Sequence, residues 1–360
     1  MSRKIIANVP LIAISSNSYA YLNSFTAALY AAMQGLKEKW TYTELLMLSG
    51  AGNRLCWTEG KWVWGNEQLA NCGSHPFEYQ DRVLSAIGWK YKNFTIERDE
   101  NGKITNMNED EIKQDIMDSI ERSMPILAQG LIKGDRRDYA VFYGYEDAGS
   151  TLIGWDYYQH NAELYLKENW ITNLTGYVIF TEKVAPKSER ERALDTFKAI
   201  AKHARQGEIR GKKVGFAAWE ALAKQLEHDD FLKCSVHWSK DTPDNEHGIN
   251  NLENRFSIYC DTLCQIVERA RPIGEPLYFV SLIEKFPEWA EELTIATEAW
   301  QDCIDFCGNH GLGYSDEALE RFRNPEVRNH LAFQIQCGMK KDIKAIEQIE
   351  KILAREKRTE

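Results

Sequence analysis

The chain changes its hydrophobic period near residue 185, and that change constrains the fold more than any other feature. Before it, short apolar runs alternate with helical patterns. IIANVPLIAI reads as a strand, residues 24–36 as an apolar helix ended by Gly35, and TYTELLMLSG as a short helix capped by Thr41 or Thr43. EDEIKQDIMDSIERSMPILAQGL predicts a helix, broken around Pro125 and followed by a strand. DYAVFYGYED and AGSTLIGWDYY are apolar runs joined by an acidic, Gly-containing turn, the pattern of a β-hairpin. LTGYVIFTEK predicts a further strand, and the charged residues 97–111 an exposed hairpin or loop.

After VAPKSERER, which reads as a linker, every pattern is helical. ERALDTFKAIAKHARQG has apolar positions at 194, 197, 200, 201 and 204, a helical stripe ended by Gly207. The expectation is therefore an α+β domain over 1–185 and an all-helical domain over 186–360. The tail carries Ile343, Ile346, Ile349 and Ile352 at helical spacing. It reads as a helix packed on its own domain, with a homodimer seam as the alternative, because the pattern lasts barely two heptads.

Composition narrows the classes of function. At 360 residues with 43% apolar and 11% aromatic content the chain can bury sizeable cores. A formal charge of −10, with no long basic run, repels phosphate backbones, so nucleic acid is not the expected partner. No window approaches the roughly 20 apolar residues of a membrane helix, and the first residues lack the pattern of a signal peptide. A cytoplasmic protein without a membrane partner is expected. Eight dispersed cysteines do not resemble a secreted disulfide scaffold.

Residues 22–36, LNSFTAALYAAMQGL, hold the sharpest functional question. Asn23 and Ser24 open an Ala-rich helix, so Ser24 is either a helix cap or the occupant of a nucleophile position. In papain-like catalysis a Cys at a helix N-terminus has its thiol pKa lowered by the helix dipole, an imidazole from a distant strand takes the proton, and a carboxylate or amide orients that imidazole. SFTAALYAAMQG, then DYAVFYGYED, then LIGWDYY follow that skeleton.

The arrangement resembles bacteriocin-processing cysteine peptidase domains, whose helix begins C-G-P-A-A-L. It is more similar to the butirosin-biosynthesis protein H N-terminal-domain-like family. SGAGNRLCW at 49–57, SAIGWKYKNF at 85–94, GFAAWEALAKQL at 215–226 and ERARPIGEPLYFVSLIEKFPE at 268–288 resemble its further short motifs, although Pro272 and Gly274 interrupt the last. The resemblance implies a papain-like domain followed by a helical domain and, in the type member, acyl transfer from a carrier protein to an amine.

Carried over by position, the resemblance puts Ser24 at the cysteine, Asp138 at the histidine and Asp156 at the orienting carboxylate. A serine needs a base at neutral pH, and an aspartate of ordinary pKa, about 4, is a poor one. No cysteine occurs before residue 56. The expectation is a non-proteolytic relative that binds a small-molecule or peptide-like ligand in a relict cleft lined by Asn23, Ser24, Trp57, Asp138, Trp155, Asp156 and Tyr157. One alternative keeps a hydrolase or acyltransferase, with His160 as base or with Cys56 or Cys72 beside His75 as nucleophile. Another is a structural protein using the helical half as its interface.

Metal has weaker support. Cys303, Cys307 and His310 share a helical face, but they lie within apolar helical patterns rather than on the turns that zinc knuckles use. The sequence has no GxxxxGK[ST], GxGxxG or HExxH. The LSGAGNR turn lacks the third glycine of a nucleotide fingerprint. No cofactor and no metal are expected.

Overall fold

The computed structural model describes residues 3–11, 23–65, 69–131, 138–156, 165–228, 231–239, 243–269, 277–308 and 315–358. In chain order its elements begin β1 (Arg3–Ile5), α1 (Ser24–Gly35), α2 (Tyr42–Ser49), β2 (Cys56–Trp57), α3 (Glu78–Ile87), β3 (Trp89–Thr95) and α4 (Glu109–Glu121). Next come β4 (Ile126–Gln129), β5 (Tyr139–Glu146), β6 (Thr151–Asp156), β7 (Tyr165–Glu168), β8 (Gly176–Lys183), α5 (Glu189–Arg205), β9 (Glu208–Ile209) and β10 (Lys212–Val214). The remainder is helical: α6 (Phe216–His228), α7 (Leu252–Val267), α8 (Tyr278–Lys285), α9 (Ala290–Gly308), α10 (Asp316–Arg323) and α11 (Pro325–Glu356). The fold is mixed α+β. Among the described residues, no helix is long and apolar enough to cross a membrane.

The chain packs as two compact units, one of residues 1–46 with 83–187, the other of residues 47–82 with 188–360. The segment 47–82, expected within the first domain, therefore belongs to the second unit.

The first unit is built on an antiparallel sheet of order β3-β8-β4-β5-β6-β7. β5 is its central strand and is buried from Tyr139 to Tyr145. β4 lies along Tyr139–Phe142 on one edge of β5, and β1 continues that edge along Gly144–Glu146. β5 and β6 form the expected hairpin, turning through Asp147, Ala148 and Gly149, all at positive φ. The first strand is shorter than IIANVPLIAI suggests: Asn8, at φ 65, turns the chain after β1, and residues 12–20 lie outside the described residues.

The helices of this unit take opposite faces of the sheet. Phe25 of α1 packs edge-on against Tyr139, ring centroids 5.1 Å apart. Successive strand residues point to opposite faces and directly paired ones share a face. Tyr139 and Val141 therefore share the α1 face with Trp155, which pairs with Val141. On the other face the Tyr177 hydroxyl donates to Asp115 of α4 at 3.3 Å. Tyr177 pairs with Ala128, Ala128 with Ala140, and Ala140 with Asp156. Asp156 thus lies on the α4 face.

The second unit is mostly helical, but it is not all-helical. A three-stranded antiparallel sheet, β2-β10-β9, lies within it. These strands have two or three residues each, too short for a period-2 pattern to show in sequence. One core is aromatic: Trp62 meets Trp57 at 5.2 Å and Phe231 at 5.5 Å, and Phe322 packs on Phe256 at 5.2 Å. Another holds Trp300 stacked on Phe279 at 4.7 Å. Helix α11 starts where the Asn324 side chain accepts from the Glu326 N–H at 2.9 Å, with Pro325 in its first turn. Its Ile346, Ile349 and Ile352 are buried in that second core, the packed-helix arrangement expected of the tail.

Candidate functional site

The start of α1 answers the question that Ser24 raised. Asn23 is the cap: its Oδ1 accepts from the Thr26 N–H at 2.9 Å and from the Thr26 hydroxyl at 2.8 Å. Its own N–H donates to the Tyr42 hydroxyl at 3.1 Å. Ser24 is the first helical residue and is partly exposed. Capping therefore explains Asn23 and leaves Ser24 in the first turn of α1 without the capping role. Asn23→Ala is expected to cost about 1–2 kcal/mol and Ser24→Ala less than about 0.5 kcal/mol in urea denaturation. Equal costs would return the cap to Ser24.

Asp138 is partly exposed and immediately precedes Tyr139, the residue against which Phe25 packs. The starts of α1 and β5 therefore meet, through residues adjacent to Ser24 and Asp138. Asp156 is on the sheet face that α4 covers, so strand alternation turns it away from α1. The same alternation, carried one residue before Tyr139, sets Asp138 on the face of Asp156 rather than that of Phe25, which corrects the positional transfer for both aspartates.

The expected aromatic lining is corrected too. Trp57 belongs to the second unit and is fully buried against Trp62. Trp155 faces α1 but is only 2% exposed, a core residue of the sheet whose indole N–H has no partner among the described residues. Tyr157 and His160 lie outside the described residues.

The first unit's composition bears directly on its chemistry. Its residues 1–46 and 83–187 include no cysteine, and His160 is their one histidine. Cys56 and Cys72 belong to the second unit. Cys56 is buried in a small apolar cluster with Ile209 and Val214, and Cys72 packs against it. His75 is instead exposed and within 3.3 Å of Asp81.

Cys303 and Cys307 lie in the helical core rather than at a surface knuckle. Burial pushes the Cys303 thiol well above its ordinary pKa, so it is protonated at neutral pH. His310 lies outside the described residues. No group of three metal-ligating side chains occurs among the described residues.

The second unit holds a feature that motif reading passed over. The LSGAGNR turn forms one wall of a cavity, opposite the last turns of α5 and its His203. The only sequence hint was its pair of glycines. The His203 Nε2 lies 3.2 Å from the Leu55 backbone N. Burial holds the imidazole down to about 4, below the ordinary value of roughly 6.5, so it is neutral at pH 7.

Above pH 6.5 His203 is neutral in folded and unfolded chains alike. As pH falls from 6.5 towards 4 the unfolded chain takes up a proton that the folded one refuses, so stability is lost. At pH 5 the loss should be roughly 2 kcal/mol. Urea midpoints of wild type and His203→Gln at pH 7 and pH 5 should show the larger fall in wild type. Parallel falls would refute the burial argument. No family model matches this chain, and no curated protein matches it.

Proposed function

We propose that the first unit is a papain-like scaffold without peptidase chemistry, binding a small-molecule or peptide-like ligand where α1 meets the start of β5. The observation that carries this reading is the absence of any cysteine from that unit, joined to the position of Asp156 across the sheet from α1. Ser24 then has no cysteine in its own unit to take its place as nucleophile. What remains suits binding. The first turn of a helix leaves N–H groups for a ligand carbonyl, and a partly exposed carboxylate at Asp138 accepts from ligand N–H or ammonium groups. Peptide-like molecules carry both.

N-acetylated dipeptide amides titrated into the intact chain should bind saturably and be recovered uncleaved. Asp138→Ala should weaken them by about 5- to 10-fold, the range of one charged hydrogen bond. A peptide aldehyde should form no stoichiometric adduct. Hydrolysis of the amides, or rapid labelling abolished by replacing Cys56 or Cys72 alone, would establish the hydrolase or acyltransferase alternative instead. Affinity unchanged in both Ser24→Ala and Asp138→Ala would remove the cleft from consideration.

A further inference from the structure

The cavity in the second unit is independent of α1 and of any peptidase ancestry. Its walls come from the turn after α2, the start of α3 and the end of α5, and it encloses about 70 Å³. Gly50, at φ 86, carries the chain from α2 into the buried turn Ala51–Asn53. A Cβ on Gly50 would come within 2.9 Å of the Arg82 guanidinium, which therefore lies against a bare backbone.

Asn53 lines this cavity at 7% exposure, and neither its Nδ2 nor its Oδ1 has a hydrogen-bond partner among the described residues. Buried amides are almost always paired, because an unpaired one loses its hydration without compensation. Here one donor and one acceptor stand together in the wall of a cavity. Their complement is a group that offers an acceptor and an N–H or O–H side by side.

The charged walls specify the rest of the ligand. Arg54, Arg82 and Lys202 line the cavity against one carboxylate, Glu78. Glu78 accepts from the Ser74 N–H and hydroxyl, both at 2.6 Å. Glu78 and Asp195 both act on Arg82, and Arg54 lies 3.9 Å from Glu268 besides donating to the Ala51 carbonyl at 2.7 Å. Lys202 and Ser74 are exposed, so the cavity is open to solvent. Neutral His203 adds no charge at pH 7. A single negative charge suits three cations already balanced in part, whereas a dianion would meet the Glu78 carboxylate. A planar carboxylate also matches the guanidinium fork.

We propose that this cavity binds a small monocarboxylate carrying an amide or hydroxyl beside its acid group, of the N-acyl amino acid class. The Arg82 guanidinium and Lys202 hold the carboxylate, and the Asn53 amide accepts the neighbouring N–H or O–H at Oδ1 and donates from Nδ2 to the carboxylate oxygen beside it.

N-acetylglycine is the direct probe, titrated into the intact chain with saturation-transfer NMR and thermal denaturation as readouts. Saturable binding with a dissociation constant in the millimolar range or tighter is expected, the scale that so small a ligand allows. Arg82→Gln should weaken it by about 10-fold or more. Asn53→Ala should weaken it by about 5-fold or more while leaving the melting temperature of the unliganded protein unchanged or raised, because it removes an uncompensated amide. Acetate and N-methylacetamide, which each offer half of the pattern, should bind more weakly.

Three results would overturn the assignment: no saturable binding, equal affinity in wild type and Asn53→Ala, or a fall of several degrees in the unliganded melting temperature of Asn53→Ala. Inorganic phosphate binding as well as N-acetylglycine would overturn the carboxylate class in favour of a generic anion site.

Discussion

Asp342→Ala should destabilise the second unit by about 3–5 kcal/mol, the largest effect expected of any single substitution in that unit. Asp342, in the middle of α11, is 2% exposed. Its two carboxylate oxygens accept the indole N–H of Trp219 at 3.0 Å and of Trp300 at 2.8 Å. The Arg269 guanidinium, also 2% exposed, lies 3.4 Å away and sits over the Trp219 ring at 5.3 Å. One carboxylate thus joins α6, α9 and α11 to Arg269, two residues past the end of α7.

Removing it leaves two indole donors and a guanidinium buried without their acceptor, and that desolvation penalty is the cost. Asp342→Asn keeps the volume but turns one amide donor towards an indole donor, so it should recover only part of the loss. Replacing Arg269 by Met in the Asp342→Ala background should recover more, since a pair of missing charges costs less than one stranded charge. Urea denaturation of the four proteins measures this. A cost below about 1 kcal/mol for Asp342→Ala would mean that water reaches the site.

Gly154→Ala should cost about 3 kcal/mol or more, because no side chain can yield. Gly154 pairs with Phe142 beside the irregularity in β5 between Phe142 and Gly144. A Cβ there would sit 2.1 Å from the Val141 carbonyl oxygen and 3.0 Å from the Phe142 Cα, both backbone atoms of the central strand. β5 is held on its other edge by β4 and β1, so relief must come from parting β5 and β6. Hydrogen exchange should then accelerate at the amides of both strands. Wild-type protection with a cost below about 1 kcal/mol would show that the strands can separate freely there.

The local parts of this fold were legible in residue order. The Thr41–Glu44 pair closes a capping box on α2, with Thr41 Oγ1 accepting from the Glu44 N–H at 3.1 Å and Glu44 accepting from the Thr41 N–H at 2.9 Å. The β5–β6 hairpin and the α11 stripe were legible for the same reason, since each depends on contacts within a few residues. Asn23 and Ser24 marked the start of α1 but not their division of labour. Both are good caps, and only the observed bond to Thr26 separates them.

What could not be read was which side of an element meets what. β5 is apolar at nearly every position, so its alternation carries no sign of which face α1 covers. Trp155 and Asp156 face opposite ways because they are successive strand residues, but which of them faces α1 follows from pairing with that strand. Trp57, expected in the cleft through the motif SGAGNRLCW, is instead buried against Trp62 in the aromatic core of the second unit.

The sequence by itself determined where the helices start, the hairpin and the lack of any cysteine before residue 56, because these depend on near neighbours or on composition alone. Tertiary structure decided the membership of residues 47–82, the face of Asp156 and the burial of Asn53 beside Arg82 and His203. These depend on packing between segments up to about 150 residues apart, and burial is a property of the assembled unit that no residue carries alone.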